Sequence, residues 1–213
     1  SCAHWIYPFG HLIVMFPLYD VNHSLAQSIL FTFAKIFLFT EIVEMTKPIH
    51  KTSTKEFRQH WIEFIYNLQD KICKALEDVD GEAKFIEDEW RRAEGKGGGG
   101  LTRVIQHGNV FEKGGVNTSV VYGKITAAMR KVLQIPPLGC EEKWFAAGIS
   151  SVIHPVNPFV PTVHFNYRMF ELYDKDGMIK DRWFGGGTDL TPYYLFEEDA
   201  VYFHSIYKKA CDE

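Results

Sequence analysis

The chain is poor in cysteine and carries no surplus of positive charge. Its four cysteines (Cys2, Cys73, Cys140 and Cys211) lie far apart in 213 residues, with no C-x-x-C pair. That spacing excludes a disulfide scaffold and a zinc ribbon, and reads as reduced thiols in an intracellular protein. A formal net charge of -4 excludes a nucleic-acid binder that relies on bulk positive charge. The glycine run Gly97 to Gly100 is not followed by the Lys-Ser/Thr of a phosphate-binding loop, so a flexible crossing or a close backbone approach is expected there. Internal repeats and βαβ alternation are also lacking. Aromatic residues are plentiful at 15%, with 17 Phe and 10 Tyr, which suits an aromatic core or the enclosure of a large flat ligand. With 46% hydrophobic and 23% charged residues, the chain fits a soluble globular domain able to bury a core without staples.

Residues 1 to 44 differ from the rest. They hold only four charged residues, Asp20, Lys35, Glu41 and Glu44. The apolar run from Leu25 to Phe39 is interrupted by Lys35 and falls short of the roughly 20 residues that cross a bilayer. It also has no secretory n-region or cleavage site. The chain begins at Ser1, and the expectation is that 1–44 is an extra segment outside the domain, ahead of an initiator at Met45. A membrane anchor is not expected.

From Ser53 the pattern is regular. Ser53 and Glu56 have capping-box spacing, and Phe57, Trp61, Ile65, Leu68, Ile72, Leu76 and Val79 recur at steps of three and four. The spacing predicts one long amphipathic helix ended by Asp80-Gly81. A short helix is expected over Phe85 to Arg92 and a weak one over 124 to 133. Strands are expected from Leu101 to Gln106, around a Gly108-Asn109 turn, from Val110 to Gly123, from Phe145 to Ile153, from Thr162 to Tyr173 and from Met178 to Phe184. The last helix, about Glu197 to Cys211, starts acidic and ends basic, as the helix dipole favours. Helices bracketing hairpin-linked strands give an α+β fold, an antiparallel sheet covered by helices on its faces.

Three segments carry candidate chemistry. In the strand from Thr162, period-two alternation puts His164, Asn166 and Arg168 on one face and Val163, Phe165, Tyr167 and Met169 on the other. An imidazole, an amide and a guanidinium, roughly 7 Å apart in succession, suit an anionic substrate lying along the sheet; an ordinary solvated strand face has the same pattern. The proline-stiffened crossing Ser150 to Pro161 fixes His154, which meets His164 only if the loop folds back. Gly185-Gly186-Gly187 beside Asp189 allows a ligand to approach the backbone, or else marks a bulge that ends the strand. His154, His164 and His204, with Asp189, have no diagnostic metal spacing.

These residues sit in long idiosyncratic strings. GGGGLTRVIQHGNVFEKGGVNTSVVYGK from Gly97, GISSVIHPVNPFVPTVHFNYR from Gly148 and WFGGGTDLTPYYLFEEDAVYFH from Trp183 resemble the oxygen-dependent coproporphyrinogen III oxidase family, from about Phe57 to Glu213. Residues 45–213 would be the N-terminal portion of that domain, and the family continues well past position 213 with part of the substrate cavity and much of the dimer contact. The resemblance implies oxidative decarboxylation of two propionates of coproporphyrinogen III to vinyl groups, giving protoporphyrinogen IX in haem biosynthesis, by a homodimer. Dioxygen is the implied co-substrate and no cofactor is required. It further implies substrate contacts from Ser150, Asn166, Tyr167 and Arg168, and His164 as proton donor. His154, His164 and His204 match positions described as ligands of a divalent metal in bacterial members. Asp189 is the candidate for meeting the pyrrole N–H groups.

Other readings remain open at this point: a metal-dependent oxygenase or hydrolase built on the three histidines, a tetrapyrrole-binding module without catalysis, or an inactive fragment of the oxidase. The cysteines and the lack of a clear signal point to the cytoplasm, with the mitochondrial intermembrane space as the alternative. No nucleic acid is expected as a partner.

Overall fold

The computed structural model describes residues 54–93, 97–132 and 142–212. The expectations placed on 1–44, Met45 and the Ser53 cap lie outside them. Helix α1 (Thr54–Asp80) is followed by strands β1 (Ile86–Arg91), β2 (Gly97–Gln106) and β3 (Phe111–Lys124). A short helix α2 (Ala127–Val132) precedes β4 (Lys143–Pro155), β5 (Thr162–Tyr173), β6 (Ile179–Thr191) and helix α3 (Glu197–Asp212). The six strands form one antiparallel sheet in the order of the chain, so the α+β class follows from successive hairpins, as patterned. No described helix is long and apolar enough to cross a membrane.

The apolar stripe of α1 does what its spacing predicts. Phe57, Trp61, Ile65, Leu68, Ile72 and Leu76 are all buried, against Phe145, Ala147, Ile149, Ile153, Phe165 and Met169 of the sheet. Burial of each large side chain stabilises the fold by roughly 1.5–3 kcal/mol. The Trp61 indole also donates to the Ala147 carbonyl at 3.0 Å, pinning the helix to β4. Helix α3 adds Phe203 to the same cluster. Its Tyr207 hydroxyl lies 3.0 Å from Thr188 Oγ1, and Thr188 belongs to the core-facing set of β6. Both long helices therefore pack against one face of the sheet.

Two local readings change. The expected helix over Phe85 to Arg92 is the edge strand β1, paired from Ile86 opposite Val104 to Arg91 opposite Gly99. Its residues IEDEWR offer no helical apolar stripe, and hydrogen bonds to β2 outweigh local propensity. The strand expected to end at Phe184 continues unbroken to Thr191, with Gly185, Gly186 and Gly187 in regular register opposite Arg168, Tyr167 and Asn166. The glycines do not make a terminal bulge. Of the two readings for Gly97 to Gly100, close approach is the one adopted: at Gly98, φ is +93° and a Cβ would lie 2.1 Å from the Val120 carbonyl oxygen.

Asp80 joins the end of α1 to the β2–β3 turn. Its carboxylate accepts from the backbone N–H groups of Ala83, Asn109, Val110 and Phe111 at 2.9–3.2 Å. A Cβ at Gly108 would sit 2.1 Å from its Oδ2, so the turn must pass without a side chain. Burial by itself pushes this carboxyl up, but the four N–H donors outweigh burial and hold it at about 2, below its ordinary 3.8. The contribution, about 2 kcal/mol, is present above the unfolded value and is lost as pH falls towards 2. Asp80→Asn is therefore expected to cost about that much in denaturant unfolding at pH 7. The gap to wild type should close on acidification; a gap unchanged at low pH would show that charge is not what Asp80 supplies.

Candidate active site

The candidate residues gather on the sheet face away from α1 and α3. On β5, His164, Asn166 and Arg168 stand opposite Val152, Ser150 and Gly148 of β4 and opposite Asp189, Gly187 and Gly185 of β6. Directly paired residues share a face, so the pairings bring Ser150 and Asp189 into line with the three. His164 Nδ1 and Asp189 Oδ2 are 2.7 Å apart, which makes the carboxylate the acceptor of an Nδ1–H. Nε2 is then the ring nitrogen left for chemistry. Thr191 Oγ1 donates to Asp189 Oδ1 at 3.2 Å, and the Arg168 Nε donates to Asn166 Oδ1 at 3.2 Å. From behind the sheet, Thr188 Oγ1 donates to the His164 carbonyl at 3.0 Å and meets Tyr207, whose burial raises its hydroxyl pKa above the ordinary value. The backbone under His164 is thus held from both sides.

The row is partly open: the His164 and Asp189 side chains are 41% and 38% exposed, and Arg168 is exposed. Glycines flank it at Gly148, Gly185 and Gly187, leaving a floor with little side-chain relief. A Cβ at Gly185 would meet nothing within 4 Å. A cleft of about 540 Å³ lined by Tyr66, Trp90, Leu101 and Tyr122 lies towards the β1 edge and contains none of these residues.

His154 does reach this face. The β4–β5 loop folds back, and Thr162 Oγ1 lies 3.3 Å from His154 Nδ1, one pair beyond His164 along the hairpin. The structure does not bring two predicted residues into the group. Tyr167 is on the core side, its ring 5.4 Å from Phe165. His204 rides on α3, which packs on that same core side. Among the described residues no group of three or more His, Cys, Asp or Glu side chains could hold a metal ion. His154, His164 and His204 accordingly form no such group among the described residues. Thr162 and Thr191, which orient His154 and Asp189, escape sequence reasoning, although each lies two residues from a candidate on the same strand face.

Residues 60–213 match the model of the family described as coproporphyrinogen III oxidase. The chain belongs to that family. It is 51% identical over 170 residues to the chloroplastic oxygen-dependent coproporphyrinogen-III oxidase of Glycine max, covering 76% of this chain and 43% of the relative. It is 50% identical over 179 residues to the Drosophila melanogaster oxygen-dependent coproporphyrinogen-III oxidase, covering 79% and 45%. Against the mitochondrial enzyme of Rattus norvegicus it is 50% identical over 154 residues, covering 70% and 34%. The chain thus spans less than half the length of these oxidases. The span matched by the family model takes in the whole polar row, from Ser150 to Asp189.

The family labels overturn the cytoplasmic expectation, since the soybean and rat relatives are named chloroplastic and mitochondrial. The physical reason is that reduced thiols report only a reducing surrounding. An organelle address resides in a removable leader, which the composition of the oxidase domain does not record.

Proposed function

We propose that this chain supplies the substrate-holding sheet of an oxygen-dependent coproporphyrinogen III oxidase, acting as a homodimer in the full-length protein. The observation that carries the reading is the 2.7 Å His164–Asp189 pair in line with Asn166 and Arg168 on a glycine floor, within a sequence about half identical to named oxidases. The chemistry suits that arrangement. A porphyrinogen has electron-rich pyrroles joined by saturated bridges, so the substrate itself supplies the electrons. Each propionic acid loses carbon dioxide and two hydrogens' worth of electrons and protons. A vinyl group forms, and one dioxygen is reduced to hydrogen peroxide. Electrons and atoms balance without a further oxidant.

The protein's part is to bind, orient and move protons. Arg168 pairs with a propionate carboxylate, a geometry guanidinium matches well. Ser150 and Asn166 add hydrogen bonds along the same line. His164 exchanges a proton through Nε2, and imidazole is the side chain suited to that at neutral pH. A carboxylate has about four acceptor sites; those of Asp189 not taken by His164 and Thr191 are available to pyrrole N–H groups. The test uses the full-length protein with coproporphyrinogen III. In air, two carbon dioxide and two hydrogen peroxide molecules are expected per macrocycle consumed, and none without oxygen. Tight binding with no carbon dioxide release would instead make it a tetrapyrrole-binding module.

A further inference from the structure

We propose that three stacked rings on the open face, Trp144, Phe170 and Trp183, form a wall that sets the macrocycle's register along β5; this inference rests on the oxidase reading and deepens it. Phe170 stands two residues beyond Arg168 and directly opposite Trp183. Their ring centroids are 4.4 Å apart, and those of Trp144 and Phe170 are 5.9 Å apart at an interplanar angle of 6°. Leu172, two residues further and opposite Trp144, is buried at 3% exposure yet stands apart from the core cluster packed under α1. The Arg92 guanidinium lies over Trp144, 5.5 Å from its centroid. A second apolar cluster therefore occupies the functional face, at one end of the polar row.

Its position makes it a step. On β4 the face runs from Gly148 through Ala146 to Trp144, on β5 from Arg168 to Phe170, and on β6 from Gly185 to Trp183. Across all three strands the floor changes over one or two positions from glycine or a polar side chain to a large ring. A macrocycle moving along the glycines stops there, with Arg168 at the foot of the step to hold a carboxylate. From Phe170 back to His164 is six residues, roughly 20 Å of strand. A single pyrrole stopped at the wall cannot reach His164; a four-ringed macrocycle with its acid side chains can. Among the described elements neither α1 nor α3 reaches this face, and the partly exposed rings in a row favour an apolar occupant. Two acid groups must be processed in turn, so the macrocycle has to be seated twice, and the wall fixes where it comes to rest each time.

The test compares full-length wild type with Trp183→Leu and Trp183→Phe in air, sorting products by their number of carboxylates. Trp183→Leu is expected to raise KM about tenfold, the effect of losing one good apolar contact, and to increase the share of product released with three carboxylates. Trp183→Phe is expected to restore both. A thermal shift with KM and the three-carboxylate share unchanged per folded molecule would make the rings purely structural and overturn the wall. Should Trp183→Leu fold poorly, Phe170→Leu is measured for KM and the three-carboxylate share: a rise in both supports the wall, and no change in either overturns it. Wild type that consumes no coproporphyrinogen removes the oxidase reading and the wall together, whereas an active wild type with an indifferent variant removes the wall alone.

Discussion

Asp189→Asn in the full-length protein is expected to lower kcat by about 10²- to 10⁴-fold, the range of a proton-transfer contribution, with Tm shifted by no more than about 2 °C. The substitution keeps the shape and removes the charge. His164 would lose the carboxylate that accepts its Nδ1–H at 2.7 Å, and the amide can present its NH₂ to the ring instead, favouring the other tautomer with Nε2 protonated. Thr191 would keep an acceptor or turn away, at small cost on a face this open. The result separates two roles for Asp189. If it acts through His164, the Asp189→Asn and His164→Ala losses are strongly non-additive. If it meets the pyrroles directly, the double variant loses more than either single one. Turnover close to wild type in Asp189→Asn would take the residue out of the mechanism.

The largest structural effect is expected at Glu171. Its carboxylate is fully buried, with Arg58 donating from Nε and Nη2 at 3.1 and 2.7 Å and Arg182 Nε donating at 2.8 Å. The Tyr173 hydroxyl completes the set. Arg58 comes from α1 and lies 4.3 Å from the Phe145 ring centroid, and Arg182 lies 4.6 Å from that of Phe57. One carboxylate therefore ties the helix to β5 and β6. Glu171→Ala leaves two guanidinium groups in a largely buried site with no counter-charge, and removal of one partner from such a cluster costs about 3–5 kcal/mol. For a chain of this size that corresponds to a Tm lower by on the order of 10 °C. Glu171→Gln, which retains hydrogen bonding without the charge, is expected to fall between. A loss under about 1 kcal/mol for Glu171→Ala would place this cluster with exposed ion pairs.

Neither Glu171 nor Asp80 announces itself in the sequence. Glu171 sits among alternating residues of β5, and its partners are Arg58, 113 positions earlier, and Arg182, 11 later. Asp80 reads as a helix-ending residue, which it is, but its bonds to Asn109, Val110 and Phe111 span about thirty positions. The stripe of α1, by contrast, is legible residue by residue, because helical packing depends on spacings of three and four within one element. The edge strand β1 is illegible for the opposite reason: its mostly charged residues hold no strong local preference, and the hydrogen bonds of β2 decide.

The candidate site divides along the same line. The alternation of His164, Asn166 and Arg168 is visible because a strand turns every second side chain to one side. The opposition of Asp189 to His164, and of Ser150 to Asn166, needs the hairpin registers.

By itself the sequence determined the antiparallel α+β architecture, the buried stripe and the row of polar groups, all products of short-range periodicity. It also carried the family resemblance, through long idiosyncratic strings within the span that matches the family. Only the tertiary structure decided that both long helices lie on one face, leaving the polar row on the other, and that Asp189 and Ser150 come into line with that row. Strand register and helix placement are set by contacts between residues tens of positions apart, which no pattern within a single element encodes.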